Sequence, residues 1–142
     1  MIGKAFVVTP LLIAPVIAYN ALAFAGSQGV NSALAAQLFN ISMVSGGQWV
    51  FTVGDALLAF ALLMLFFEVV KSTSTRSLSL LNHGLSTVVL IICIVQFLLL
   101  GAFATSVFLM ITLMALFDVL SGFTVSVVAA RRDFGVGDGV IN

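Results

Sequence analysis

The chain has 142 residues, 62% of them hydrophobic and 7% charged, with five Lys/Arg against five Asp/Glu and a formal net charge of zero. An average soluble domain is about a quarter charged, so this composition excludes an ordinary water-facing surface, and the zero net charge removes the electrostatic case for nucleic acid. One cysteine and one histidine exclude an internal disulfide, a multi-cysteine metal site and a bis-histidine haem within one chain.

The first apolar run covers residues 5–25 and is long enough to cross the ~30 Å hydrocarbon layer at about 1.5 Å per residue. The small-x-small triplet Ala23-Phe24-Ala25 also resembles a signal-peptide cleavage site. Pro10 and Pro15 fall inside the apolar region and speak against that, so the segment is read as span 1. Pro15 is expected to kink it, unless Thr9-Pro10 marks the helix start.

Residues 26–48 contain no charge. Leu34, Leu38 and Ile41 recur at helical spacing, which predicts a short interfacial helix lying flat on the bilayer, ended by Ser45-Gly46-Gly47. A connecting loop is the plainer alternative. Span 2 is expected over 49–70, with Trp49 as a headgroup-level anchor, Asp55 about one and a half turns inside, and Glu68 three residues before Lys71, close enough to pair. The most polar loop, 71–84, holds Lys71, Arg76 and His83. Span 3 covers 85–100, or starts a turn earlier at Leu80. Residues 101–105 make a tight turn into span 4, 106–128, and 129–142 form a Gly-rich tail. The chain is one transmembrane domain without internal repeats.

Orientation follows from the cations. Lys4, Lys71, Arg76, Arg131 and Arg132 all fall on one side of a four-span arrangement, and the two other connections hold none. By the positive-inside rule both termini are cytoplasmic. The expected fold class is therefore all-α: an integral membrane four-helix bundle, N-in/C-in, in a bacterial inner membrane.

Asp118 lies roughly 15 Å from either end of span 4. A carboxylate at that depth costs about 2.5–3.5 kcal/mol on insertion scales, so it should face protein or water. Ala115, Asp118, Ser121, Gly122, Ser126 and Ala129 are read as one small-and-polar face, opposite Phe108, Ile111, Leu113, Leu120 and Phe123. The functional interpretation of Asp118 is a proton or ion relay; the plainer and preferred one is an acid that holds helices together. Cys93 and Gln96 of span 3 share a face with Ser86, Val89 and Leu100; Asp118 is expected to face this polar side, level with Gln96, which can donate to a carboxylate, when counted from the helix ends, and nearer Val89 and Cys93 when counted from the tight turn. Tyr19, Asn20 and Asp55 form a second polar level toward the opposite end, as a hydrogen-bonded cluster, although Tyr19 also suits an aromatic belt and Asp55 a helix N-terminus. Glu68, Lys71, Arg76, Arg131 and Arg132 make a cytoplasmic charge cluster, either docking a partner or anionic headgroups or setting topology with a solvated salt bridge. His83 suits a pH sensor or a local cap.

No metal-ligand spacing, nucleophile elbow or phosphate-cradling loop is present, and Gly135-x-Gly137-x-Gly139 follows no strand. The expectation is a protein that is not an enzyme and has no cofactor. Its partners are the lipid bilayer and either its own copies or a larger membrane complex, in which it serves as an accessory or structural subunit. The alternative is an oligomeric pore or a proton- or ion-coupled transport element using Asp118, of which a holin-like permeabilising protein is a variant. A haem held between two copies of His83 is a third, less favoured idea.

Overall fold

The computed structural model describes residues 9–25, 29–72 and 79–135. The elements in chain order are α1 (Ile13–Ala25), α2 (Val30–Ala35), β1 (Gln37–Ser42), β2 (Gln48–Thr52), α3 (Val53–Ser72), α4 (Ser79–Leu99), a 3-10 turn (Gly101–Phe103) and α5 (Ser106–Gly135). Helix dominates, and three helices are long and apolar enough to cross a membrane: α3, α4 from Leu81, and α5 as far as Thr124. Their outward surfaces carry Leu62, Phe66, Leu98, Phe117 and Leu120, all exposed. An apolar surface this continuous is matched by acyl chains and not by water.

The described part of span 1 is α1, whose 13 residues reach only about 20 Å at 1.5 Å per residue. Residues 5–8 and Lys4 lie outside the described residues. Pro15 falls near the start of this helix, not at its middle. It occupies the third helical position, where its missing N–H has no intrahelical acceptor to lose. The turn before it is closed by Ile13 N–H donating to the Pro10 carbonyl at 3.2 Å and Ala14 N–H to that of Leu11 at 3.1 Å.

The all-α expectation is corrected by a two-stranded antiparallel hairpin, β1 with β2, in which Phe39 faces Phe51 and Ile41 faces Trp49. A helix does form in this segment, but it ends at Ala35. Leu34, Leu38 and Ile41 satisfy helical spacing, yet Phe39, Ile41, Trp49 and Phe51 also alternate with period two, and their β-branched and aromatic character favours strand. Gly46, at φ +82°, turns the connection. Met43 N–H donates to the Gly47 carbonyl at 2.8 Å and Gly46 N–H to that of Met43 at 2.9 Å. Trp49 therefore belongs to β2, and the second apolar helix starts at Val53.

That start is capped. Thr52 Oγ1 accepts from Asp55 N–H at 3.2 Å, while Asp55 Oδ2 accepts from Thr52 N–H at 2.9 Å and from the Thr52 hydroxyl at 2.8 Å. This reciprocal pairing is a capping box. Thr52→Ala should lower stability by about 1 kcal/mol, read as an earlier midpoint in a detergent-unfolding titration. An unchanged midpoint would show that the strand–helix junction is held by packing alone.

α4 begins at Ser79, and α5 runs to Gly135, so the first seven tail residues are helical. α4 packs along α5, α3 on α5, and α1 on α3. The core is Val16, Tyr19, Leu34, Leu57, Ala61, Val89, Cys93, Phe103, Phe108 and Ile111. Phe108 and Ile111 are wholly buried, on the same side as Ala115, Asp118 and Gly122 and not opposite them. The spacing 108, 111, 115, 118, 122 is a single helical face. The lipid-facing side of α5 carries Leu113, Phe117, Leu120 and Phe123 instead.

Candidate functional site: a buried polar cluster at one end of the helices

Polar side chains concentrate where the last turns of α3 meet the first turns of α4. Glu68 is fully buried and its carboxylate is saturated. It accepts from Leu11 N–H at 2.7 Å, from the Asn82 amide, and from Lys71 Nζ at 2.9 Å on Oε1 and 3.0 Å on Oε2. Lys71 Nζ also donates to the Thr9 carbonyl at 2.8 Å and to Asn82 Oδ1 at 3.3 Å. The pair is thus a buried clamp that ties the turn before α1 to α3 and α4. The solvated salt bridge expected for Glu68 and Lys71 is corrected accordingly. Arg76 lies outside the described residues, as do the side chains of Arg131 and Arg132, so only two members of the expected charge cluster are placed.

One layer deeper sits Asp118, 1% exposed. The groups acting on it are Ser86 and His83 from α4 and Glu68 and Lys71 from α3. Asp118 Oδ1 and Ser86 Oγ have no hydrogen-bond partner among the described residues. The His83 ring packs directly against Gly122 of α5: a Cβ at that glycine would fall on the imidazole Nδ1, Cε1 and Cγ. Ser121, half-buried, turns its hydroxyl back to the Asp118 carbonyl at 2.9 Å. His83 is enclosed between helices, which leaves it unsuited to meet a haem shared with another copy.

Gln96 does not reach Asp118. Its Nε2 donates to Asn20 Oδ1 at 2.8 Å, and Asn20 Nδ2 donates to the Val16 carbonyl at 2.8 Å. This amide pair lies in an open groove of about 370 Å³ between α1 and α4, walled by Ile13, Val16, Ile17, Val89 and Ile92. Asp118 instead faces the first turns of α4, about three turns away from Gln96 at 3.6 residues per turn, because α5 descends antiparallel to α4 from the tight turn. Cys93 is a buried free thiol in the core between these levels.

The expected Tyr19–Asn20–Asp55 cluster does not form. Tyr19 is a core residue, its hydroxyl donating to the Ala102 carbonyl at 3.0 Å and pairing with Thr105 Oγ1 at 2.6 Å, its ring 4.7 Å from Phe108 and 5.4 Å from Phe103. Asn20 belongs to the amide pair and Asp55 to the helix cap. Tyr19→Phe leaves the aromatic packing but removes the donor to the Ala102 carbonyl and one of two partners of Thr105 Oγ1, which keeps the Phe108 N–H at 3.1 Å. A loss of about 1 kcal/mol is expected, measured by unfolding in mixed micelles; no loss would mean that the ring alone holds this corner.

Sequence reasoning missed Asn82 and the burial of Glu68, and it placed Ser86 on a helix face without pairing it to Asp118. Asn82 was legible only as one polar residue in a polar loop, since nothing local marks it as both the donor to Glu68 and the acceptor from Lys71. Among the described residues no group of three or more His, Cys, Asp or Glu is arranged to hold a metal ion. The fold and site define a helical protein with three helices long and apolar enough to cross a membrane and a largely buried polar cluster at one end of them. Comparison with family models, curated proteins and solved structures finds nothing that matches the chain.

Proposed function

We propose that this chain is a four-span bundle of a bacterial inner membrane, with both termini cytoplasmic, acting as a non-enzymatic accessory subunit. It works with its own copies or within a larger membrane complex. The observation that carries this reading is the β1–β2 hairpin, remote from the charged clamp and free of charged residues. Leu38, Phe39, Ile41, Met43, Trp49 and Val50 are exposed on it, and Val44 at its tip is entirely so. Phe39 stacks on Phe51 at 4.6 Å, which presents a flat aromatic face. A lone two-stranded hairpin is marginal in water, and open apolar strand edges pair readily with another chain. Both properties suit an element completed by a partner.

The test is cross-linking in native membranes from Val44→Cys, with buried Cys93 as the unreactive internal control. An adduct to a second polypeptide, lost when Phe39, Ile41 and Trp49 are changed to Thr, is the expected result. A chain that stays uncross-linked and runs as a lone monomer in mild detergent removes the reading. The orientation is tested with the same substitution: an impermeant thiol reagent should label the Val44→Cys variant in intact cells, and a cysteine placed in the 136–142 tail only after permeabilisation.

The second reading, a pore or ion-coupled transport element, is favoured by one observation, the buried and unpartnered Asp118 oxygen. Against it stands the apolar layer of Leu57, Ala61, Val89, Cys93 and Ile111 between the two polar levels. Flux into liposomes that is equal in wild type and Asp118→Asn, or nil in both, disposes of it.

A further inference from the structure

We propose that Asp118, together with Ser86 and His83, is a proton-binding site in the membrane interior, exchanging its proton only through the end of the protein where Lys71 and Asn82 lie. Such a site needs neither transport nor a partner subunit, so it holds whichever of the two functions above is correct.

Two buried oxygens on different helices carry it. Asp118 and Ser86 are 1% and 2% exposed, the Ser86 hydroxyl is the hydrogen-bonding group beside the Asp118 carboxyl, and neither Asp118 Oδ1 nor Ser86 Oγ has a partner within 3.5 Å among the described residues. Buried polar atoms nearly always have a partner at full hydrogen-bond distance, so two neighbouring ones that fall short of it call for an explanation. Charge supplies it. Among the described residues the charged and titratable groups acting on Asp118 are Glu68 and Lys71 from α3 and His83 from α4. Glu68 and Lys71 form an ion pair at 2.9 Å and cancel each other. Among the described residues the Asp118 charge has no ion-pair partner of its own, in a setting where an unpaired carboxylate is costly. One proton, taken from hydronium with release of water, removes that charge and converts the bare carboxylate oxygen into an O–H that can donate to Ser86. The His83 imidazole lines the same site, packed against Gly122. A hard cation takes six or more oxygens, more than this donor set holds.

Access follows from the layering. Lys71 has a 10% exposed side chain and contacts Asn82; His83 and Ser86 come next on α4, and Asp118 lies behind them. On the other side of Asp118 the packing is apolar, through Ala115, Leu90 and Leu12.

The test uses the full chain in phosphatidylcholine vesicles, with infrared difference spectra between about pH 9 and about pH 5, a range that brackets carboxyl and imidazole titration. The expected result is one carboxyl C=O band that disappears in Asp118→Asn and moves in Ser86→Ala as its hydrogen bond is lost. Dicyclohexylcarbodiimide, which attacks protonated carboxyls in apolar surroundings, should label Asp118 and spare Glu68, read by peptide mass. If Asp118→Asn fails to fold, the Ser86→Ala band shift and the wild-type labelling still decide. A spectrum with no Asp118-dependent band, a band indifferent to Ser86→Ala, or labelling of Glu68 in place of Asp118 overturns the proposal.

Discussion

Replacing Glu68 by alanine is expected to destabilise the protein by about 3–5 kcal/mol, the cost of leaving the other half of a buried ion pair without its partner. The local geometry places the effect toward the upper part of that range. The Glu68 carboxylate accepts from three separate donors, Leu11 N–H, the Asn82 amide and Lys71 Nζ; the first two would lose this acceptor outright, and Lys71 would lose its counter-charge while keeping the Thr9 carbonyl and Asn82 Oδ1. Lys71→Ala should cost less, since Glu68 would keep two of its donors. Changing both residues to Met replaces the pair by apolar groups of similar length and should recover half or more of the single-mutant loss, because a buried pair seldom outperforms a well-packed hydrophobic substitute. The measurement is a double-mutant cycle on unfolding in mixed micelles, with Glu68→Met and Lys71→Met as its single variants. Additive single and double effects would show that the two side chains act independently, and the clamp would then be a coincidence of proximity. The same clamp explains why α1, too short alone to reach across a bilayer, holds its place: its leading turn is fixed to α3 through two backbone groups, Thr9 C=O and Leu11 N–H.

What the sequence made legible, and what it did not, divides along a physical line. Membrane-scale features depend on sums over many residues, and the apolar helices α3, α4 and α5 with the turn at 101–105 were readable for that reason. The hairpin was not, because six residues of alternating Phe, Asn, Ile and Ser satisfy two periods at once, and only the cross-strand pairing of Phe39 with Phe51 decides between them. The pairing of polar groups was hardest. Gln96, Asn20, Ser86 and Asn82 each had several partners at plausible depth, and a shift of one turn exchanges them. Asp118 was recognisable as a buried acid from its helix alone. That His83 is its neighbour depends on how far α5 travels past α4 after the turn, a length the sequence does not print. Glu68 was misread for a related reason: a carboxylate three residues from a lysine looks the same whether water or a third helix covers it.

Gly122→Ala provides the sharpest decision about that juxtaposition, because two principles give opposite signs. In a helix interior alanine is favoured over glycine by about 1 kcal/mol, so a glycine held for no steric reason should be improved by the change. At position 122 the added methyl falls on the imidazole of His83, meeting Nδ1, Cε1 and also Cγ, an atom close to the α4 backbone. Rotating the ring tip does not clear Cγ, so α4 and α5 must separate or the imidazole must leave a site where it is 9% exposed. Overpacking of this kind costs about 1–3 kcal/mol, and the net expectation is a destabilised protein. His83→Ala removes the obstacle, so Gly122→Ala introduced into His83→Ala should be neutral or stabilising. The sign reversal between the two backgrounds, read from the same unfolding titration, is the signature of direct contact. Gly122→Ala that stabilises the wild-type background would separate His83 from α5, and with it would go the enclosure of Asp118 by the first turns of α4.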